Sequence, residues 1–397
     1  MLNFSYTSIR SNGNYDETAT YIQKQISSLD TSTRTVFLAK HMLNNGQIYN
    51  AETNELFNSY VTIHQNRLNT IYGFHSGNQN YIRSQNSSTP FGMSLSGAKY
   101  LFLPTNSIGQ IEDLDYYNYL GKLDIHYIFE NPYALSYGIF VPEAVRNLEN
   151  VFFPPMFYND LASLYTESQN EIFVSQYISY SEDENAPNSF YITDGNGNKL
   201  SFEEGLKYAE NYETDDHSTN IVLHMNYTPK KDGHIYLFTH ELISLGTVKA
   251  GETVQKSIPF FEHILYFRDG YNLVTINDEN MKHVLSLMAE NQWENVKTEN
   301  NCITGTTNYA EDGYTMLSIA WDRNWHAYID GEEVEIEDFY DAMMFVKTPA
   351  GKHTLTLKYI PYGMKESKLI SLCFWIFTFG LFGVLHIMKK RKQKEII

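Results

Sequence analysis

Trp321, Trp325 and Tyr328 are the residues of this chain best placed by type and spacing to hold a sugar, because the apolar face of a sugar ring lies well on an aromatic ring. Trp321 and Trp325 fall on an inward-facing pattern and are expected to pack in the core. Tyr328 alternates away with His326 and Asp330, which makes Tyr328 and Asp330 the candidate ligand-binding residues. Other constellations carry less. Asp194-Gly-Asn196-Gly-Asn198 starts like a calcium loop, but position six is Lys199 and position twelve is Gly205, where an EF-hand needs Gly and Glu, so a turn is expected. His224, His234, His240 and Glu241 lie on two adjacent expected strands without any spacing typical of a metal site, and no metal is assigned. Acidic runs at Glu182–Glu184 and from Glu332 to Asp341 offer many carboxylate pairs, and no pair stands out as a glycosidase's acid and base. There is no Gly-x-Ser-x-Gly elbow, phosphate loop or dinucleotide fingerprint, so no catalytic residue and no cofactor can be named.

The elements that would position these residues change in character along the chain. Ala19, Ile22, Ile26 and Leu29 make one face of a short helix over 15–29, with Asp16 as its cap. A strand is expected over Thr33–Leu38, helical stretches around 51–68, and a turn leading into a buried strand over Ser94–Pro104. A strand pair is expected over Leu123–Phe129 and Ala134–Val141, broken at Asn131-Pro132. Residues 1–145 therefore read as an α+β region. From 146 to 300 the texture is of short strands every 8–12 residues with turn chemistry between them, the signature of an antiparallel β-sandwich. Hairpins are expected across Asp194–Asn198, across Pro229–Gly233 and across Arg268–Gly270. One helix interrupts, from Asp278 to about Gln292, capped by Asn277. Residues 301–364 alternate with period two and predict a compact antiparallel β unit, with Thr315, Leu317, Ile319 and Trp321 on one face and Trp325, Ala327 and Ile329 on another.

The chain is 397 residues long, 42% hydrophobic and 15% aromatic, which is ample material for packed cores. Its 29 Lys and Arg against 47 Asp and Glu leave a net charge of −18, and this argues against a nucleic-acid partner. Residues 365–397 carry seven basic and two acidic side chains, so residues 1–364 hold −23. Two cysteines, Cys302 and Cys373, build no disulfide framework. Leu369 to Met388 is a run of 20 residues without Asp, Glu, Lys or Arg. As a helix it spans roughly 30 Å, the thickness of a bilayer's hydrocarbon layer. Lys389-Lys390-Arg391-Lys392 and Lys394 follow it, so residues 389–397 are expected in the cytoplasm and the bulk outside, with Lys365 and Lys368 opposing weakly. Residues 1–30 contain no apolar export segment. The expectation is therefore that membrane helices upstream of Met1, or a partner membrane protein, accompany this chain; a tail-anchored protein with cytosolic bulk is the other option, and it runs against the charge rule.

Three segments carry a resemblance. The first is Trp325-x-Ala-Tyr328-x-Asp330-Gly331, continuing through Thr348-Pro-Ala-Gly-Lys-His353 to Leu357-x-Tyr359-x-Pro361 ahead of the apolar run. The others are Ser96-Gly-Ala-Lys-Tyr100 and Glu130-Asn-Pro-Tyr-Ala-Leu135. Together they resemble the bacterial YfhO family of membrane proteins over about residues 15–390. The resemblance implies a large extracytoplasmic region of a protein similar to glycosyltransferases that take sugars from polyprenyl-phosphate carriers and decorate lipoteichoic acid or another wall polymer. Such enzymes keep catalytic carboxylates between N-terminal membrane helices, outside the residues read here. A membrane-anchored surface protein that binds glycans or cell wall is the alternative, and a complete hydrolase is disfavoured by the lack of any nucleophile constellation. The expected partners are the lipid bilayer and a wall polymer or glycan.

Overall fold

The computed structural model describes residues 34–37, 56–57, 62–77, 81–83, 89–104, 114–123, 126–166, 171–210, 221–238, 242–259, 270–299 and 301–394. The helix expected over 15–29 and the strand expected over 264–267 lie outside them. The architecture is mixed, mainly strands in several sheets, with one long apolar helix at the C-terminal end.

Near the start of the chain, β1 (Arg34–Phe37), β5 (Ala98–Pro104), β7 (His126–Glu130) and β6 (Asn118–Leu123) lie in that order in one sheet, β1 parallel to β5 and the rest antiparallel. A small sheet of β2 (Leu56–Phe57), β4 (Tyr81–Arg83) and β3 (His75–Gly77) lies between them in sequence. Helices α1 (Ile63–Ile71) and α2 (Pro90–Leu95) are each started by a threonine: Thr62 and Thr89 accept the backbone N–H groups of Gln65 and Gly92. Where helices were expected around 51–68, the structure has β2 and then α1.

Residues Leu123–Phe129 and Ala134–Val141 do not pair with each other. β7 is sandwiched between β5 and β6, whereas β8 (Gly138–Val141) leaves this sheet and pairs with Tyr314–Leu317, far later in the chain. Asn131-Pro132 is the reason: it turns the chain out of the first sheet. The Asn131 side chain then holds the turn, donating to Ser94 Oγ and Ala98 O and accepting from Tyr133 N.

The middle of the chain builds one large sheet in the order β14 (Leu242–Val248), β13 (Gly233–Phe238), β16 (Gly270–Ile276), β9 (Phe173–Tyr180), β10 (Ser189–Thr193), β12 (Val222–Tyr227) and β15 (Val254–Pro259), with β11 (Lys199–Leu200) added to β10. Leu245 and Val248 at one end and Val254 and Ile258 at the other pack into the same core as Leu223, Leu237 and Leu273, so the sheet curls into a near-barrel. The hairpin across Asp194–Asn198 forms as expected, with Asp194 Oδ1 accepting from Asn196 N and Asn198 N. The one expected across Pro229–Gly233 does not: β12 pairs with β10 and β15, and β13 with β14 and β16. Period-two patterning identifies both strands but not their partners, since any half-buried neighbour satisfies it.

In sequence, helix α3 (Pro154–Ser163) precedes this sheet, α4 (Phe202–Glu210) falls within it between β11 and β12, and α5 (Asp278–Glu290) follows it. Asn277 caps α5 as expected, and Asp278 and Glu279 occupy its first turn, where the helix dipole favours negative charge.

The C-terminal region is a two-sheet sandwich. One sheet is β17 (Glu294–Glu299), β18 (Cys302–Tyr309), β24 (Gly351–Tyr359), β20 (Trp325–Ile329) and β21 (Glu332–Val334); the other is β22 (Ile336–Phe339), β23 (Met343–Thr348), β19 (Gly313–Ala320) and β8. Trp293, Leu317, Ala327, Ile329, Met344, Val346, Leu355 and Leu357 fill the space between. The face pattern expected from Trp325, Ala327 and Ile329 is thus observed. β19 departs from simple alternation: Gly313 to Ser318 are all buried. Leu317 faces the sandwich, whereas Tyr314 and Met316 join a second core with Leu101, Val141, Phe157 and Met281. A strand buried on both faces loses its polar face, and this strand does so because α1, α3 and the first sheet cover it.

Helix α6 (Met364–Lys394) ends the described chain. Within it Glu366–His386 is long and apolar enough to cross a membrane, and Leu369, Phe374, Trp375, Phe379 and Phe382 are all exposed on its surface.

Candidate functional site

A cleft of about 660 Å³ opens where the first sheet, the Asn131–Tyr137 turn and the start of β17 meet. That volume lies within the range of small-molecule sites. Its lining mixes charges, amides and rings. Arg34, Lys99, Glu130 and Glu294 contribute charge, Asn131, Gln292 and Asn295 amides, and Tyr137 and Trp293 aromatic surface.

Each wall has a local cause. Gly97 sits at φ +76, a conformation that L side chains rarely adopt, and a Cβ there would lie 3.1 Å from Leu135 O and 3.7 Å from Arg34 Nη1. Glycine therefore lets the turn and the guanidinium approach the strand together. Leu135 N donates to Ser94 O at 3.0 Å, which pins the turn's far end. On the opposite wall, Gln292 Oε1 accepts from Ser136 N at 2.8 Å, and Trp293 N donates to Gly138 O at 2.7 Å. Trp293 itself is buried against Gly305, whose absent Cβ would meet Nε1 at 2.6 Å.

Arg34 is the deepest charge, 8% exposed. Nη1 donates to Ser96 O at 2.5 Å and to Ser318 Oγ at 2.8 Å, Nη2 donates to Ser318 O at 2.6 Å, and the guanidinium lies 4.5 Å from the centre of the Tyr137 ring. The β19 ladder slips between Leu317 and Ala320, and this bulge presents Ser318 to Arg34 and to Tyr137 O. Nearby Tyr72 is fully buried. Burial pushes its phenol well above the ordinary range, against the lowering effect of Arg34 and Ser318, so it stays neutral and supplies no counter-charge.

Tyr328 and Asp330 lie on the outer side of the sandwich and are not among the residues that line the cleft. Tyr328 is half-buried, opposite Thr356 on β24 and Glu333 on β21, and Thr304 extends the row through its 3.2 Å hydroxyl contact with Thr356. Asp330 is exposed at φ +52 in the β20–β21 turn; its Oδ1 accepts from Thr354 N at 2.8 Å, and Oδ2 pairs with His353 Nδ1 at 2.7 Å. These bonds hold the Asp330 carboxyl below its usual range, while the His353 imidazole is raised, chiefly by Asp330. Trp321 and Trp325 are half-buried against the sandwich core, with His64 on Trp321 and Tyr359 on Trp325. His224 bonds Thr193 and Ser257, and His234 bonds Tyr116 and Thr247 and pairs with Asp115; their strands are not neighbours.

Arg34, Tyr137 and Trp293 escape a motif search. The one available signal for Arg34 is a lone cation opening a short strand that is otherwise uncharged, Arg34–Phe37. Of the three segments singled out in the sequence, two, Ser96–Tyr100 and Glu130–Leu135, contribute cleft-lining residues through Gly97, Lys99, Glu130, Asn131, Pro132, Ala134 and Leu135.

A family model described as bacterial membrane protein YfhO matches residues 2–371. The chain belongs to the YfhO family. No curated protein and no solved structure matches it. In this YfhO protein the candidate membrane span, Glu366–His386, begins within the last residues matched.

Proposed function

We propose that this YfhO-family chain is the extracytoplasmic part of a glycosyltransferase that draws sugar from a polyprenyl-phosphate carrier and modifies lipoteichoic acid or another wall polymer, and that its cleft engages the acceptor. The observation that carries this reading is the convergence of Ser96–Tyr100 and Glu130–Leu135 on one cavity of sugar-sized volume, lined by amides, charges and aromatic rings. The basic residues after the span favour a cytoplasmic tail and an external bulk. No residue of the chain is assigned a catalytic role; its part is to hold the polymer beside membrane-embedded chemistry.

The test is the glycosylation of the wall polymer in cells that carry the full protein with Ala134→Trp, which fills the cleft from its rim. The expected outcome is normal protein abundance in the membrane with polymer sugar content reduced several-fold. Unchanged sugar content would refute the reading.

A second reading is favoured by the outer row Thr304, Thr356, Tyr328 and Glu333: a membrane-anchored surface protein that binds glycans on this face. It predicts that Tyr328→Ala abolishes glycan binding and that Ala134→Trp leaves it intact.

A further inference from the structure

Within the cleft, Arg34 is a cation taken out of water without a carboxylate partner among the described residues. Burying a charge in this way costs several kcal/mol unless hydrogen bonds and opposite charge offset it. Its three acceptors among the described residues, Ser96 O, Ser318 Oγ and Ser318 O, are all neutral, and Tyr72 beside it is held neutral by burial. A guanidinium has five N–H donors. Three are used by these bonds, two from Nη1 and one from Nη2, which leaves Nε–H and one Nη2–H. On a planar guanidinium, Nε–H and the Nη2–H on its side form an edge that matches the two oxygens of a carboxylate or phosphate. The Ser318, Ser96 and Tyr137 contacts fix the guanidinium in place before any ligand arrives, and so reduce the ordering cost of binding.

The other charges around the cleft are arranged by depth. Lys99 is half-buried and adds a second positive charge; Glu130 is half-buried and Glu294 exposed. The positive charge is thus deepest where water screens it least, and the outermost carboxylate lies where solvent does.

We propose that the floor of the cleft is an oxyanion subsite, in which Arg34, assisted by Lys99, receives a phosphate or carboxylate group carried by the ligand, with its neutral portion lying toward Tyr137 and the turn. The proposal deepens the acceptor reading, since it states which group of a wall polymer the cleft would select.

The full chain in detergent micelles, titrated by calorimetry with glycerol 3-phosphate, glucuronate and neutral glycerol and glucose, tests this. At least one anion is expected to bind tenfold or more tightly than the neutral compounds. A response to glycerol 3-phosphate alone identifies the group as phosphate, and a response to glucuronate alone identifies it as carboxylate. Arg34→Lys keeps the charge but removes the planar fork, and is expected to weaken anion binding at least tenfold. Because Arg34 also ties β1 to β19, Ala134→Trp serves as the variant that leaves the guanidinium bonds untouched; it is expected to abolish anion binding with an unchanged melting curve. Equal binding of anions and neutral compounds, or anion binding that survives Ala134→Trp, would overturn the proposal. If neutral polyol polymer still bound in a cleft-dependent way while the anions gave no advantage, the oxyanion subsite would fall and the acceptor reading would stand.

Discussion

Asp330 and Gly97 illustrate how single residues in this chain do geometric work that their types only hint at. Asp330 closes the β20–β21 turn by accepting from Thr354 N and pairing with His353. The pairing contributes to stability only while Asp330 is ionised and His353 protonated. That contribution is lost on the acid side as pH falls through the lowered Asp330 value, and on the alkaline side as pH rises through the raised His353 value. Both groups are largely solvated, so the effect on overall stability is small, and NMR titration of the imidazole is the direct measurement. Asp330→Asn should bring the His353 pKa down toward that of a free histidine. Gly97→Ala places a side chain at φ +76 against Leu135 O, and should cost about 1–3 kcal/mol in denaturant unfolding. The Ser-Gly-x-Lys-Tyr segment was readable as a feature of the sequence; its reason, the close approach of a turn 38 residues away, was not, because nothing local in the sequence encodes that contact.

At the scale of elements, patterning was informative wherever one face met a core and the other met water. β20 and β24 alternate as their sequence pattern predicts, Asn277 caps α5, and the Asp194–Asn198 turn joins β10 to β11. β8 and β19 were harder. β8 is only four residues, all buried, so it shows no period at all. Its partner follows in the chain only after the whole middle sheet has intervened. Trp293 belongs to the same difficulty: it packs on Gly305 and walls the cleft, yet in sequence it is one aromatic residue after a helix. Trp293→Ala should destabilise the chain by about 3–5 kcal/mol in denaturant melts. In α6, Phe377 lies mid-span and is 68% exposed. Phe377→Arg should cost about 3–4 kcal/mol of insertion and move part of the protein from the carbonate-resistant to the soluble fraction.

For the whole molecule, one continuous core runs from the first sheet through α3 and α5 to β19 and β23, so the cleft is built by residues from positions 34 to 296. A site assembled across such distances is poorly legible in sequence: Lys99 and Glu130 stood in recognisable segments, whereas Arg34, Tyr137 and Trp293 entered through tertiary contacts alone. Tyr328, legible from alternation, is not among the cleft's lining residues. The two locations give the two functional readings distinct consequences, and so does the direction in which α6 crosses the membrane. The measurement that bears most directly on the central claim is photo-crosslinking in intact cells with a benzophenone amino acid placed at Ser136, on the cleft, or at Tyr328, on the outer sheet. The account predicts a wall-polymer adduct from Ser136 that competes with added anionic polymer, and none from Tyr328. An adduct from Tyr328 alone, or no polymer adduct from either position, would contradict it.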